Sequence, residues 1–286
     1  MKRFIGGLLA FALLVTVWPA TAVAQDGGDT TDRFVHNDWR RDRFYLAAGG
    51  LAARHDTIDE LNARDFPVGR VIDWEDTLGL AENTTTFWAE GHLKPHPRHR
   101  FRFSYYQVKR GSDATVINEE IQYGDLLIPL EVTVNTRYNT RTIRADYRFS
   151  VIQSRRVDIG IALGLYVLKL EGEIGINGTT LGESVSESAP LPMAGIDIEW
   201  DFAPKLVFKG GFQVLGIKVG SDTTVDGNWG EYRARIEWMP FRNFGLGAGY
   251  LHNTINADIV FGSGVIRDWS INYSTGGITF YGILSF

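Results

Sequence analysis

Apolar and polar side chains alternate at a period of two along several stretches of the chain. The clearest stretch is 157–168, where one face carries only branched aliphatic side chains and the other carries Asp158, Ala162, Tyr166 and glycines. The stretch 276–286 has the same form and ends in an aromatic residue. Alternation of this kind is typical of a β-strand whose two faces meet different environments. The sequence therefore predicts an all-β protein.

The same alternation predicts about ten strands, with eight or twelve as alternatives. The predicted strands are 44–53, 84–94, 100–109, 131–149, 157–168, 193–202, 206–215, 231–239, 244–250 and 276–286. Short connections follow Lys94, Phe149, Phe202 and Met239, and long ones begin near Arg54, Arg110, Glu171, Gly216 and Thr254. This regular change between short and long is typical of a single antiparallel up-and-down transmembrane β-barrel with short periplasmic turns and long external loops. The acidic segment 54–83 is expected to be a solvated external loop with some strand extension.

One face of the predicted strands carries charges of both signs, and we expect this face to line the lumen. These residues are Glu90, His92, Arg100, Arg102, Arg144, Asp146, Arg148, Asp158, Asp197, Glu199, Asp201, Lys209, Glu231, Arg233, Arg235 and Glu237. A ten-stranded lumen is narrow, and unpaired charges inside it would be costly. The balanced signs therefore predict a packed, ion-paired interior. A narrow solute or ion channel is the alternative.

The opposite face carries aromatic side chains near one end of the strands. They are Phe101, Phe103, Tyr147, Phe149, Trp200, Phe202, Trp238, Phe244 and Phe286. Aromatic residues form girdles where a transmembrane barrel meets the membrane interface. These residues predict the periplasmic girdle, whereas a soluble sandwich has no reason to place an aromatic row at one end of its strands.

The first residues have the features of a secretory signal. Lys2 and Arg3 precede an apolar run, and the small residues of Ala22-Val23-Ala24 mark a cleavage site. We expect 1–24 to be a signal peptide, 25–42 a flexible leader and 43–286 the barrel domain.

The charge and the cysteine content exclude some kinds of partner and site. Removal of the signal would change the net charge from −5 to −7, and this acidic balance gives no support to a nucleic-acid partner. The chain has no Cys, which excludes disulfides and thiolate metal sites.

Three features of the chain resemble the small outer-membrane β-barrel proteins of Gram-negative bacteria, the broad OmpA/OmpW-like superfamily. They are the signal ending in Ala24, the strand at 157–168 and the terminal Gly282-Ile283-Leu284-Ser285-Phe286. The resemblance implies an integral, monomeric outer-membrane protein that contacts membrane lipid and lipopolysaccharide. It also implies that the barrel-assembly machinery recognises the closing strand through Phe286. Members of this superfamily include structural barrels, adhesins, channels and a few enzymes, so we interpret the chain as a structural or surface-interaction barrel.

A hydrolase site at the external rim is the second alternative. His55 and Asp56 follow the first predicted strand and His252 follows the ninth, so the barrel could bring them to one rim. The paired aspartates and His-Asp of omptin proteases, and the His-x-Ser of lipid A deacylases, do not occur in a matching context. We therefore predict no catalytic residues, no cofactor and no metal.

Overall fold

The computed structural model describes residues 43–63, 71–123, 126–220, 223–262 and 266–286. The predicted signal peptide 1–24 and most of the predicted leader 25–42 lie outside these residues. No helix in the described part of the chain is long and apolar enough to cross a membrane.

The described residues form thirteen strands. They are β1 (Phe44–Ala63), β2 (Val71–Asp73), β3 (Asn83–His96), β4 (His99–Val116), β5 (Ile121–Tyr123), β6 (Leu126–Ile128), β7 (Thr133–Gln153), β8 (Val157–Ile176), β9 (Gly182–Ala203), β10 (Leu206–Gly220), β11 (Thr223–Trp238), β12 (Phe244–Phe261) and β13 (Ile266–Ser285).

Ten long strands make the wall of an antiparallel barrel, in the order β1, β3, β4 and then β7 to β13. The ring closes because β13 also pairs with β1, in a register that places Ala48 opposite Gly282. The short β2 pairs with the outer half of β1, and β5 and β6 form a separate hairpin. The predicted ten-stranded, up-and-down barrel is confirmed.

The strands are about twice as long as a membrane requires. A transmembrane strand needs about 9–11 tilted residues, whereas β8 has 20. Its outward apolar side chains run from Val157 to Val167, a stretch of about 34 Å along the strand. At a tilt of about 40° this stretch covers about 26 Å of membrane thickness, close to the apolar band of outer-membrane barrels. The membrane-spanning segments are therefore the periplasmic halves of the strands, such as 44–53 and 157–167, and the outer halves extend beyond the lipid.

The bounds of several predicted external loops are wrong because the strands continue through them. The segments predicted as loops at 171–192, 216–230 and 254–275 are mostly the paired outer halves of β8 to β13. Beyond the membrane, Ser, Thr, Asn and Glu replace apolar residues on the outward face. The alternation of apolar and polar positions then weakens, although backbone pairing continues.

A smaller correction concerns the first short turn, which is predicted to contain both Pro95 and Pro97. The turn consists of Pro97 and Arg98, and Pro95 lies inside β3. The register between β3 and β4 shifts between Leu93 and His96. Such an irregularity tolerates a proline, which has no N–H to donate to the ladder.

The interior has two layers with different chemistry. The lower interior, inside the membrane-spanning halves, contains the charged residues described below. The upper interior, inside the outer halves, is an apolar core in which Trp74, Leu78, Tyr138 and Trp269 are fully buried. Two external connections supply part of this core by folding into the mouth of the barrel: one contains β2 and Trp74, and the other contains β5 and β6.

The prediction that the acidic segment 54–83 is a solvated loop is therefore wrong for much of its length. Strand β3 begins opposite Arg54, so the edge of β1 above that point lacks β3 as a partner. Strand β2 pairs with this edge, with Asp73 opposite Ile58, and the chain after it carries Trp74 inward. Because an exposed sheet edge leaves backbone groups unpaired, this pairing both protects the edge and closes the mouth.

Candidate functional site

The centre of the lower interior is Arg144 on β7. Its guanidinium contacts Glu90 at 2.7 Å, Glu231 at 2.9 Å and Asp146 at 3.3 Å. Arg144 also donates a hydrogen bond of 3.3 Å to the Tyr166 hydroxyl. Arginine suits this position because its planar fork of donors satisfies several acceptors at once.

Ion pairs extend from this centre across the lumen. Arg102 contacts Asp146 at 2.6 Å and Asp197 at 2.8 Å, and Asp197 also pairs with Arg233 at 2.8 Å. Arg235 contacts the second oxygen of Glu90 at 2.9 Å. Since each carboxylate is shared by two or more arginines, the network links opposite sides of the wall.

Towards the periplasmic end the network becomes a set of pairs. Arg100 pairs with Glu199, Arg148 contacts Asp158 at 3.0 Å, and Lys209 contacts Glu237 at 2.8 Å. The ring of His92 stacks on that of Tyr45 at 4.8 Å. All sixteen charged residues of the predicted lumen network lie inside the barrel and are buried.

Little space remains between these side chains. Two cavities that they line within the described part of the chain have volumes of about 20 Å³ and 10 Å³. One water molecule needs about 10–15 Å³ on this scale, so each cavity could hold one water and no larger solute. The lower interior is filled.

Sequence reasoning missed the aromatic and amide residues that complete this packing. Tyr45 and Tyr281 both donate hydrogen bonds to Glu237, at 2.6 Å and 3.1 Å. Asn253 donates to the Tyr106 hydroxyl at 2.6 Å. Each of these four residues has the inward parity of its strand, so strand parity was the signal that could have identified them.

The residues of the predicted aromatic girdle all face outward near the turn end of the wall. Phe101 and Tyr147 contact each other with ring centroids 5.3 Å apart, and Trp200 and Phe202 are 5.8 Å apart. Phe286 lies 6.5 Å from Phe44, across the closing pair of strands. The other members, Phe103, Phe149, Trp238 and Phe244, are exposed or partly exposed.

The three rim residues that the sequence singled out line one open depression of about 410 Å³. His55 lies at its inner wall with both nitrogens engaged, by Thr84 at 2.7 Å and by Thr275 at 2.9 Å. Burial, together with the positive charge of Arg110, lowers the pKa of His55 to about 3. A histidine held neutral in this way is a weak base. Within the described part of the chain, no hydrogen bond joins Asp56 to either His55 or His252.

The upper interior contains one buried acid that sequence reasoning missed as a site residue. Asp59 is fully buried, and neither of its oxygens has a hydrogen-bond partner among the described residues. Burial raises the pKa of Asp59 to about 8. The carboxyl is therefore mostly protonated at neutral pH.

The described residues contain no group of three or more His, Asp or Glu side chains with the geometry to hold a metal ion. His96 and His99 contact each other at the short turn, with ring centroids 5.3 Å apart, whereas His92 lies in the lumen.

Comparison with known proteins identifies the fold. No protein-family model matches the chain, and no curated protein matches it. The solved structure of the outer membrane protease OmpT from Escherichia coli is similar, with a TM-score of 0.57 and 9% identity over 85% of this chain and 96% of OmpT.

Two further matches are more distant. The attachment invasion locus protein Ail of Yersinia pestis, in complex with a heparin analogue, matches at a TM-score of 0.33 and 12% identity, over 84% of this chain and 99% of Ail. The translocator domain of the autotransporter NalP from Neisseria meningitidis matches at a TM-score of 0.43 and 12% identity, over 83% of this chain and 88% of that domain. The likeness to OmpT establishes the fold, and the outward apolar belt has the height that a bilayer requires. The chain has the fold of the outer-membrane β-barrel proteins.

Proposed function

We propose that this protein is a sealed, monomeric barrel with a structural or surface-interaction role in the outer membrane. The observation that carries the proposal is that both layers of the interior are filled. The ion-paired network occupies the lower interior, and the apolar core that contains Trp74 and Trp269 occupies the upper interior. A solute would have to displace both layers in order to pass.

The outer halves of the strands support the surface-interaction part of the proposal. About nine residues of β8, from Leu168 to Ile176, lie beyond the apolar belt. Three of their four outward positions, Lys169, Glu171 and Glu173, are charged, and the interior behind them is a packed core. This arrangement holds an extended polar surface rigidly above the membrane, which suits contact with other surface molecules.

Two partners belong to the same proposal. Lipid of the outer membrane, including lipopolysaccharide, surrounds the apolar belt. The barrel-assembly machinery recognises β13 and the terminal Phe286, which lies beside Phe44 at the periplasmic end of the wall.

The two alternatives are less well supported. A narrow channel would need space along the axis, and the cavities of the lower interior each hold about one water molecule. Of the two histidines in the rim depression, His55 would be a weak general base for a hydrolase, because its pKa is lowered to about 3.

Single-channel recording in planar bilayers tests the proposal. The purified protein, refolded in detergent, should insert without producing stable conductance steps. Insertion should be checked independently by recovery of the protein with the lipid in a flotation assay. The variant Arg54→Gln, on the outward face of β1, serves as the matched control for Arg233→Gln in the lumen. A stable conductance that changes with Arg233→Gln but not with Arg54→Gln would contradict the sealed barrel.

A further inference from the structure

The ladder of backbone hydrogen bonds between β9 and β10 ends early. Its last pair is Ala194 with Val214, and no pair joins the two strands beyond it in the described part of the chain. Both strands nevertheless continue outward, because β9 stays paired with β8 as far as Gly182 and β10 stays paired with β11 as far as Gly220. The outer halves of β9 and β10 therefore present two sheet edges to each other.

Two prolines explain why the ladder ends at this point. Pro190 and Pro192 lie in β9 just beyond Ala194, and the ladder between β9 and β8 passes both without a shift in register. Because proline has no N–H to donate, an intact β8 ladder requires both proline nitrogens to face β10. In agreement, Asp201, which has the opposite parity, donates its N–H to the Arg156 carbonyl on the β8 side. The edge of β9 therefore lacks two of the donors that pairing with β10 would use.

The edge of β10 keeps its donors. Val214 is paired with Ala194, so Val214 and every second residue after it direct their N–H and C=O groups towards β9. Gly216 is the first of these residues that has no β9 partner among the described residues. A sheet edge with free donors and acceptors is a template for another strand.

Elsewhere the chain covers the sheet edges that its interrupted ladders leave. Strand β2 pairs with the open edge of β1. The ladder between β3 and β4 also ends early, and there the Thr86 hydroxyl donates to the Gln107 carbonyl. Further out on β4, the Thr115 hydroxyl donates a hydrogen bond of 2.9 Å to the Leu78 carbonyl in the connection after β2. Within the described ranges, no segment pairs with the open edges of β9 and β10.

The interior behind these two edges is apolar, with one acidic exception. Leu191 and Met193 on β9 are buried in the upper core, and Leu215 on β10 packs against it. Glu187 has the same inward parity as Leu191 and Met193, yet its side chain is exposed. It forms no ion pair with any described residue. An exposed side chain at an inward position indicates that the wall is open to water there.

We propose that the open edge of β10 binds an extended segment of another polypeptide by β-strand addition. A strand of about six residues pairs with β10 from Leu215 to Gly220, on the side that faces β9. Alternate side chains of this strand enter the apolar interior beside Leu191 and Met193. A Lys or Arg at its outermost inward position faces Glu187, so the partner combines small apolar residues with one basic residue.

Two other occupants fit these edges less well. The gap begins at the outer border of the apolar belt, where Pro190 pairs with Val167, but a hydrocarbon chain there would leave the β10 backbone groups without partners. A second copy in the same membrane is related by an axis along the membrane normal. Strands tilted by about 40° would then cross at about 80°, whereas paired strands differ by only about 20–25°.

This inference names the partner of the proposed surface-interaction role and rests on that part of the proposed function. It does not require a sealed lumen. Conductance and peptide binding are separate measurements, so either proposal can fail while the other holds.

Fluorescence anisotropy with a labelled hexapeptide, TKTVTV, tests the proposal on the full protein refolded in detergent. Its threonines occupy outward positions, and its Lys and two Val occupy inward positions. The control peptide has the same side chains, with the backbone N–H groups of its threonines methylated. It should bind at least about tenfold more weakly, because each lost hydrogen bond to β10 contributes about 1 kcal/mol.

A disulfide that closes the gap provides the test on the protein side, and the chain has no Cys of its own. Pro192→Cys/Gly216→Cys lies where the ladder would continue, and oxidation should weaken peptide binding at least about tenfold, reversibly on reduction. Ile198→Cys/Gly210→Cys joins two residues that are already paired and should leave binding within about twofold. Glu187→Gln should weaken binding by about two- to fivefold.

Three outcomes would overturn the proposal. They are equal binding of the two peptides, unchanged binding after oxidation of Pro192→Cys/Gly216→Cys, and an equal loss in the control disulfide. Folding is checked by the change in gel migration between heated and unheated samples. If the first disulfide does not form, Gly216→Pro decides the matter, because it removes the first free N–H of β10. Binding should then fall about fivefold, and unchanged binding would overturn the proposal.

Discussion

Arg235 on β11 donates a hydrogen bond of 2.9 Å to Glu90 on β3, directly across the lumen. Strands β12, β13 and β1 separate the two residues around the wall. Because Glu90 also pairs with Arg144 at 2.7 Å, one carboxylate braces three parts of the barrel. The lower interior therefore supports the wall mechanically as well as filling it.

The first prediction concerns this brace. Glu90→Ala would leave Arg144 and Arg235 without a shared buried acceptor, and breaking a buried pair in this way costs about 3–5 kcal/mol. The free energy of unfolding in urea, followed by gel migration, should fall by about that amount. Glu82→Ala removes an exposed pair with Arg54 and should cost at most about 1 kcal/mol. Equal losses in the two variants would contradict the bracing role.

The second prediction concerns Asp59 and pH. Its folded pKa of about 8 is higher than the unfolded value of about 3.9. Between these values the folded state keeps a proton that the unfolded state has lost, so stability should fall as pH rises from about 4 to 8 and then level off. The full effect is at most about 6 kcal/mol, at about 1.4 kcal/mol for each pH unit.

The variant Asp59→Asn should remove this part of the pH dependence. Urea unfolding at pH 5, 7 and 9 should show a flatter profile for Asp59→Asn than for the unchanged protein, with a higher relative stability at pH 9. The exposed Asp56→Asn provides the matched control and should leave the profile unchanged. A profile for Asp59→Asn that still falls between pH 5 and 8 would exclude Asp59 as its source.

The third prediction concerns the seam between β1 and β13. A Cβ at Gly277 would lie 2.3 Å from the Ala52 carbonyl oxygen and 2.6 Å from the Ala53 Cα, both of which are backbone atoms. Gly277→Ala should therefore destabilise the barrel by about 1–3 kcal/mol or more. Gly282, on the same strand, has no atom within 4 Å of such a Cβ. Gly282→Ala should be neutral or slightly stabilising in the same heat-dependent gel assay.

The fourth prediction tests whether the lower interior closes the barrel without the apolar core of the upper interior. Trp74 is fully buried in the upper interior and contacts the ring of Tyr138 at 4.8 Å. Trp74→Ala should cost about 3–5 kcal/mol and make the connection around β2 more sensitive to external protease. It should not create conductance, because the lower network is unchanged. Leu181→Ala, at an exposed position, is the control and should change neither property. Conductance in Trp74→Ala would show that the lower layer alone does not seal the barrel.

Much of the wall could be predicted because a strand directs its side chains to alternate faces. Arg144, Asp146 and Arg148 share one parity on β7, and Tyr147 and Phe149 share the other. The sequence alone therefore assigned these residues to the inward and outward faces. It also predicted about ten strands, with eight or twelve as alternatives, since short turns and longer connections alternate along the chain.

The upper interior could not be predicted in the same way. Trp74 and Tyr123 belong to connections whose local sequences resemble polar loops. Their burial depends on the edge of β1 being left open above Arg54, and on the neighbouring strands projecting far enough to enclose them. Both conditions are properties of the assembled sheet.

The sequence alone thus determined which side of the wall each side chain faces, because side-chain direction in a strand has a period of two. The polar interior and the apolar belt follow from that assignment. The pairing inside the lumen was decided only by the tertiary structure. Glu90 and Arg235 are 145 residues apart in the chain, and they meet because ring closure and strand register place them at the same height on facing walls.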